Sequence, residues 1–258
     1  MPPAVSTSLS LAGLKALVIG GSSGIGEAAA QGFAEAGAQV AIAARRRDKL
    51  DAALSRLSER TEGARAYMAD VTSEGDLRDL ADRVFSDFGQ IDVLMNCQGT
   101  TILKPAIDFS SAEFAHVIAT NLTSVFSCCT TFGRAMIAQE SGAIINIASL
   151  AAHRGWANSC PYAVSKHGVV GLTKTLAAEW AVHGVRVNAI SPGFFMTELN
   201  RDKMPEARKE AALMRTPAGR FGDVRELVGA AVYLASPAAS FVTGTILNVD
   251  GGYLASGI

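Results

Sequence analysis

The chain lacks any uninterrupted apolar run of the roughly eighteen residues that a membrane-spanning helix needs, and residues 1–10 show no basic leader followed by an apolar stretch. The expectation is a cytoplasmic protein. Cysteine is scarce: Cys128 and Cys129 are adjacent on a helical pattern, and Cys97 and Cys160 stand apart, which excludes a disulfide framework and points to reduced thiols. The four histidines, His116, His153, His167 and His183, are scattered without metal-ligand spacing, so no metal site is expected. No charge excess exists either. A formal net charge of −1 with both signs interleaved offers no broad footprint for nucleic acid or an anionic membrane. Solenoid-period repeats and low-complexity linkers are also missing.

What the chain does have is 258 residues with 49% hydrophobic content, enough for a sizeable core in one domain spanning 1–258. Seven short apolar, β-rich runs alternate with helix-sized intervals, at 16–19, 39–43, 64–68, 93–95, 143–148, 186–190 and 246–249. Right-handed crossovers of that length demand parallel strands with helices on both faces, an α/β doubly wound, Rossmann-type sheet. Ligands of such sheets gather at the carboxyl ends of the strands. Gly21, Asp70, Asn96, Ser149 and Pro192 all fall at or just after a predicted strand end, so five segments are expected to share one crevice.

Two local patterns suggest what that crevice does. The first strand runs into Gly20-Gly21-Ser22-Ser23-Gly24-Ile25-Gly26 and then a helical stretch opening at Glu27. Glycine there allows the backbone to approach a pyrophosphate, and the helix start aims its free N–H groups at the anion. Further along, Tyr162 and Lys166 sit one helical turn apart and share a face. An ammonium so placed stabilises a phenolate and lowers the tyrosine pKa from about 10. Moving it to neutrality, roughly three units, takes about 4 kcal/mol. One lysine supplies less, so a second positive charge, such as an oxidised nicotinamide ring, is expected beside it.

Together these features resemble the short-chain dehydrogenase/reductase family over nearly the whole chain, from about Leu11 to Gly252. The family's glycine signature maps onto Gly21, Gly24 and Gly26, its adenine-side contact onto Asp70-Val71, and its strand-end element onto Asn96-Cys97-Gln98-Gly99. Its catalytic four map onto Asn121, Ser149, Tyr162 and Lys166; its nicotinamide turn onto Pro192-Gly193 with Thr197; its C-terminal strand onto Val249-Asp250-Gly251-Gly252. Departures are Gly20, where a Thr is common, and Cys97-Gln98, where Asn-Ala is usual.

The resemblance implies an oxidoreductase interconverting a secondary alcohol and a ketone. Tyr162 would exchange the proton, Ser149 would hold the substrate oxygen, Lys166 would tune the phenol and grip the nicotinamide ribose, and Asn121 would order a relay water. The implied cofactor set is Gly21, Ser23, Gly24, Ile25, Gly26, Arg45, Arg46, Asp70, Val71, Asn96, Gly99, Tyr162, Lys166, Pro192, Gly193, Phe195 and Thr197. An NAD-selective member would usually carry an acidic residue at the end of the second strand. Ala44 stands there, followed by Arg45-Arg46-Arg47, which favours NADP(H) with NAD(H) still open. Ser22-Ser23 lack the basic residue that some NADP-selective relatives carry.

His153, Arg154 and Trp156 are the substrate candidates, with Lys104 a further one. Arg154 suits a substrate carboxylate, and with the Pro-Gly-Phe-Phe and Thr-Glu-Leu-Asn segments the chain looks like the sugar-acid dehydrogenases of the gluconate type. A 3-oxoacyl thioester, or a cyclic or aromatic ketone against an apolar wall of Trp156 and Phe194 to Met196, is an alternative substrate. A non-catalytic NADP(H)-binding sensor or assembly protein is the reading from another class. The charged stretch 196–216 is expected to be a substrate-side lid. Apolar helices at 112–138 and 166–181, with the tail at 241–258, suggest a homotetramer or dimer.

Overall fold

The computed structural model describes residues 7–197 and 204–256. Seven parallel strands form one sheet: β1 (Lys15–Ile19), β2 (Gln39–Ala44), β3 (Arg65–Met68), β4 (Val93–Asn96), β5 (Gly142–Ile147), β6 (Val185–Pro192) and β7 (Ile246–Val249). Their spatial order is β3-β2-β1-β4-β5-β6-β7. All seven runs read from the sequence are present, and the single doubly wound domain is as expected. The largest difference is β6, which extends to Pro192 and pairs it with Val249 of β7.

Alternation along the strands shows why the sheet needs helices on both sides. Leu17 and Ile19 of β1 face α3 (Glu74–Phe88), α5 (Ser124–Ala138) and α6 (Cys160–Trp180), packing with Leu80, Val84, Phe132 and Leu176. Ala16 and Val18 face α1 (Gly24–Glu35), α2 (Arg47–Ser58) and α8 (Val228–Ala235), packing with Phe33, Leu50, Leu57 and Leu234. Because both faces are covered, the strands read as continuous apolar runs instead of alternating ones. The chain leaves β1 towards β2 and β3, then returns to β4 on the other side of β1. That reversal opens a crevice beyond the carboxyl ends of β1 and β4.

The segment expected as one long helix at 112–138 is interrupted. A short helix, α4 (Ser111–Ile118), is closed at its start by a reciprocal cap: the Ser110 hydroxyl accepts from the Glu113 N–H, and the Glu113 carboxylate accepts from the Ser110 N–H. A π-helical turn, Ala119–Thr123, follows before α5 begins. Here the Thr120 hydroxyl donates to the His116 carbonyl and the Ser124 hydroxyl to the Thr120 carbonyl, satisfying the loosened backbone. Such turns re-aim a side chain within a helix; this one carries Asn121. The last described helix before α8 is α7 (Glu206–Arg215).

Helices α5 and α6 meet closely because Gly133 leaves room for Trp180: a Cβ on Gly133 would lie 2.6 Å from Trp180 Cζ3. Gly133→Ala should therefore push α5 off α6, at about 1–3 kcal/mol, lowering Tm by roughly 2–10 °C in a chain of this size. Thermal unfolding followed by circular dichroism checks it, and an unchanged Tm would mean the two helices do not pack at that distance.

Candidate active site

The glycine turn after β1 is tight for reasons its side-chain-free residues make plain. Gly20 has φ +76°, and a Cβ on it would sit 3.0 Å from the Cys97 backbone at the end of β4. On Gly21 a Cβ would lie 2.7 Å from Ile42 Cγ2, and on Gly26 it would overlap the Gly20 carbonyl oxygen. Gly24, at φ +56°, opens α1, with Thr197 Cγ2 3.8 Å from the Cβ position. Gly20 thus joins the turn's required glycines, which the signature mapping passed over. The helix begins at Gly24 and not at Glu27, so the N–H groups of Ile25 and Gly26 belong to its first turn. Of the turn at 192–197, Thr197 is the residue that meets this loop. Phe195, by contrast, sends its ring into the core, 4% exposed, and bridges Gly222.

At the end of β2, Arg45 and Arg46 are exposed, and Arg46 is the residue preceding α2. Arg45 Nη1 lies 3.7 Å from Asp70 Oδ2 at the end of β3. Burial raises the Asp70 carboxyl, but hydrogen bonds from the Thr72 hydroxyl and N–H, together with Arg45, outweigh it and hold it below the usual value. Val71 packs into the core beside it.

A cavity of about 580 Å³ occupies the crevice, lined in part by Gly99, Ser149, Trp156, Tyr162, Lys166, Pro192 and Gly193. Helix α6 supplies both Tyr162, in its first turn behind Pro161, and Lys166, one turn later. Lys166 is 3% exposed; its Nζ donates to the Ile147 carbonyl at 2.7 Å and lies 5.8 Å from the Tyr162 ring centroid. Next to it on the helix, Ser165 meets Asn121, whose Nδ2 donates to the Ser165 hydroxyl (3.1 Å) and to the Thr100 carbonyl (2.9 Å). Asn121 Oδ1 accepts from the Thr100 N–H at 2.7 Å. The asparagine is fully buried and clamps the loop after β4 by both backbone groups of one residue. Gly99, in that loop, is close to both, its Cβ position 3.6 Å from Asn121 Oδ1 and 3.9 Å from Lys166 Nζ.

Ser149 ends the β5 segment and starts a 3₁₀ turn, Leu150–Ala152. Its hydroxyl accepts from the Ala151 N–H at 3.2 Å and also hydrogen-bonds Tyr162. The electrostatics of Tyr162 differ from the sequence reading. Burial pushes the phenol up, and only in part do the Ser149 hydrogen bond and the Arg208 charge pull it back. Lys166 directs its ammonium at a carbonyl and is itself pushed down to about 8 by burial. The protein alone therefore does not lower the tyrosine, which leaves the work to a second cation.

Several assigned positions lie elsewhere. Asn96 is buried in the sheet, donating to Asn146 Oδ1 at 2.9 Å and to Cys129 Sγ at 3.4 Å, because alternation along β4 turns its side chain to the α5 face. His153 hydrogen-bonds the Ser191 hydroxyl (2.9 Å) outside the cavity lining. Arg154 is turned away as well, donating from Nη2 to the Leu254 and Ser256 carbonyls at 3.3 Å each. Lys104 is closed on Glu113 at 2.6 Å. Of the substrate candidates Trp156 lines the cavity, as does Phe194 of the apolar wall expected at 194–196, with Leu103, Leu150, Met204 and Arg208 as members the sequence did not single out. Of the stretch 196–216, residues 198–203 lie outside the described residues; in the rest, Met204 just before α7 and Arg208 on it reach the cavity lining.

Residues 19–254 match the family model described as enoyl-(acyl carrier protein) reductase, one of the short-chain dehydrogenase type. The chain belongs to the short-chain dehydrogenase/reductase family. These enzymes are oxidoreductases acting on alcohol and ketone groups. This short-chain dehydrogenase is 40% identical over 250 residues to gluconate 5-dehydrogenase of Gluconobacter oxydans, covering 96% of this chain and 97% of that one. It is 39% identical over 243 residues to D-threitol dehydrogenase of Mycolicibacterium smegmatis, 94% of each chain. It also superposes, with a TM-score of 0.92, on a gluconate 5-dehydrogenase from Burkholderia cenocepacia in complex with NADP and tartrate, at 37% identity over 97% of this chain and 99% of that one.

A buried lysine whose pKa lies below its unfolded value weakens the fold while charged, so its penalty is complete below about pH 8 and fades as the pH approaches 10.5. Wild type should gain stability relative to Lys166→Met between pH 8 and 10.5. Paired Tm measurements across that window check the sign; a constant difference would show that Lys166 titrates as if exposed.

Proposed function

We propose that this protein is an NADP(H)-dependent enzyme interconverting a secondary alcohol and a ketone on a small polyhydroxylated substrate of the sugar-acid or polyol kind. The observation that carries the reading is that Ser149, Tyr162 and Lys166 line one cavity together with Pro192 and Gly193. The glycine cradle fits a dinucleotide, since side chains at Gly20, Gly21 or Gly26 would collide with backbone or with Ile42. In that fit the turn and the start of α1 hold the pyrophosphate, Asp70 and Val71 flank the adenine, Arg45 and Arg46 meet the 2′-phosphate, and Lys166 meets the nicotinamide ribose. Bound there, the nicotinamide supplies the hydride and, when oxidised, the positive charge that Tyr162 lacks.

The protein's own groups handle the proton. In the reducing direction the Tyr162 hydroxyl gives its proton to the carbonyl oxygen, while the Ser149 hydroxyl donates a hydrogen bond to the same oxygen. Lys166 keeps a positive charge behind the phenol, and Asn121 positions both Ser165 and the Thr100 backbone around it. In oxidation the same phenol oxygen takes the alcohol proton.

The reading extends to the surroundings. Residues 196–216 act as a lid, supported by α7, on which Ala212 is the one buried residue. A homotetramer, or a dimer, is supported by exposed apolar side chains on three adjacent helices: Phe114, Phe126 and Val164. No helix among the described residues is long and apolar enough to cross a membrane, and the setting proposed is the cytoplasm.

Two measurements test this. Tyr162→Phe should retain NADP(H) binding while turnover falls by roughly 10²–10⁴-fold; equal behaviour of both proteins would leave a nucleotide sensor as the explanation. Arg45→Asp should reverse the nucleotide preference by raising KM for NADPH at least tenfold while that for NADH falls, because a carboxylate repels the 2′-phosphate and accepts from ribose hydroxyls. Unchanged Michaelis constants would place the 2′-phosphate away from Arg45.

A further inference from the structure

The two named sequence relatives leave open whether the substrate is an acid or a neutral polyol, so the decision rests on the cavity's own charges. Its lining includes a set of apolar side chains: Leu103, Leu150, Trp156, Phe194 and Met204. Among the described lining residues the cations are Lys166 and Arg208. Lys166 gives one N–H to the Ile147 carbonyl, and in the reading above the nicotinamide ribose takes the rest of its donors. Among the described residues, two cations near the lining are committed too, Arg154 to the C-terminal carbonyls and Lys104 to Glu113.

Arg208 is different. It stands in the first turn of α7, half-buried, with its guanidinium carbon 6.0 Å from the Trp156 ring centroid. Trp156 is itself held by Phe194 and Tyr253, at 5.8 and 6.2 Å between ring centroids, so the guanidinium has an ordered aromatic surface beside it. No carboxylate pairs with Arg208 among the described residues, and its charge reaches Tyr162. A guanidinium set against an aromatic ring keeps its N–H fork for a planar anion.

We propose that Arg208 selects an anionic substrate by binding its carboxylate, with the reacting carbon presented to Tyr162 and Ser149. The substrate class is then a small hydroxy or oxo carboxylic acid in preference to the neutral polyol of equal length. This rests on the oxidoreductase reading above and adds to it the group that distinguishes acid from polyol.

The test compares gluconate with sorbitol, six carbons each, in NADP⁺ reduction by wild type, Arg208→Gln, Arg208→Lys and Arg154→Gln. In parallel, tryptophan fluorescence of each protein with NADP⁺ bound is titrated with gluconate, Trp156 being the reporter and Trp156→Phe the blank. Wild type should prefer gluconate. In Arg208→Gln the KM and Kd for gluconate should rise roughly 10- to 100-fold, the range of a charged hydrogen-bonded contact, while sorbitol loses only the smaller, kcat-side effect of removing the Arg208 charge from the neighbourhood of Tyr162, with no comparable rise in its KM. Arg208→Lys should fall between, and carries the test if the glutamine variant does not fold. Arg154→Gln should keep the acid preference. Equal losses on both substrates, or a wild type indifferent to the carboxylate, would overturn the assignment to Arg208. If neither compound is turned over by wild type, the oxidoreductase reading is in question for this substrate class, and the titration decides separately: gluconate binding that needs Arg208 supports the inference, and its absence overturns it.

Discussion

A single ammonium, Lys166, is held 3% exposed against the carbonyl that ends β5, and the geometry of the whole crevice follows from where that group must lie. A buried charge is tolerated only when hydrogen-bonded, so α6 has to dock with its first two turns over the sheet's carboxyl edge. Docking there places Tyr162 over the crevice and Ser165 against Asn121. Asn121 in turn needs the π-helical turn between α4 and α5, because a regular helix would direct it elsewhere. Through Thr100 it then fixes the loop after β4, and with it Gly99 beside the ammonium.

This arrangement positions Tyr162 better than it activates it. Burial raises the phenol, and the Ser149 hydrogen bond and Arg208 charge recover only part of that cost. Lys166 contributes less than its spacing suggests, since its own burial lowers its affinity for a proton and one of its three N–H groups is held by a backbone carbonyl. A site tuned this way holds its proton until a second positive charge arrives in the cleft. The coupling keeps proton transfer tied to the presence of the nucleotide that also moves the hydride.

The fold was largely legible in the sequence because period and composition report directly on burial. The central strands, covered on both faces, read as apolar runs, and glycine marks the turn where Ile42 and Cys97 leave no room for a Cβ. The interruption of the 112–138 helix was not legible, since Ala119–Thr123 contains no proline or glycine, and the loosened turn is stabilised by hydroxyls bonding back along the helix. Asn96 was misplaced for a related reason. Its position at a strand end is visible in sequence, whereas which face the side chain takes depends on pairing with Asn146 across the sheet.

The rim of the cavity shows the limit most clearly. Sequence proximity to Ser149 made Arg154 the arginine for a substrate carboxylate, but the chain turns so that its guanidinium ties down the C-terminal segment at Leu254 and Ser256. That tie supports Tyr253, which packs on Trp156 and Phe194 and so shapes the wall that Arg208 approaches from α7. One arginine builds the wall and another presents the charge, and nothing in spacing distinguishes them. Helix α7 keeps one buried residue, Ala212, so little burial opposes its displacement. A cation carried on such an element can be drawn towards an anion at small cost to the fold.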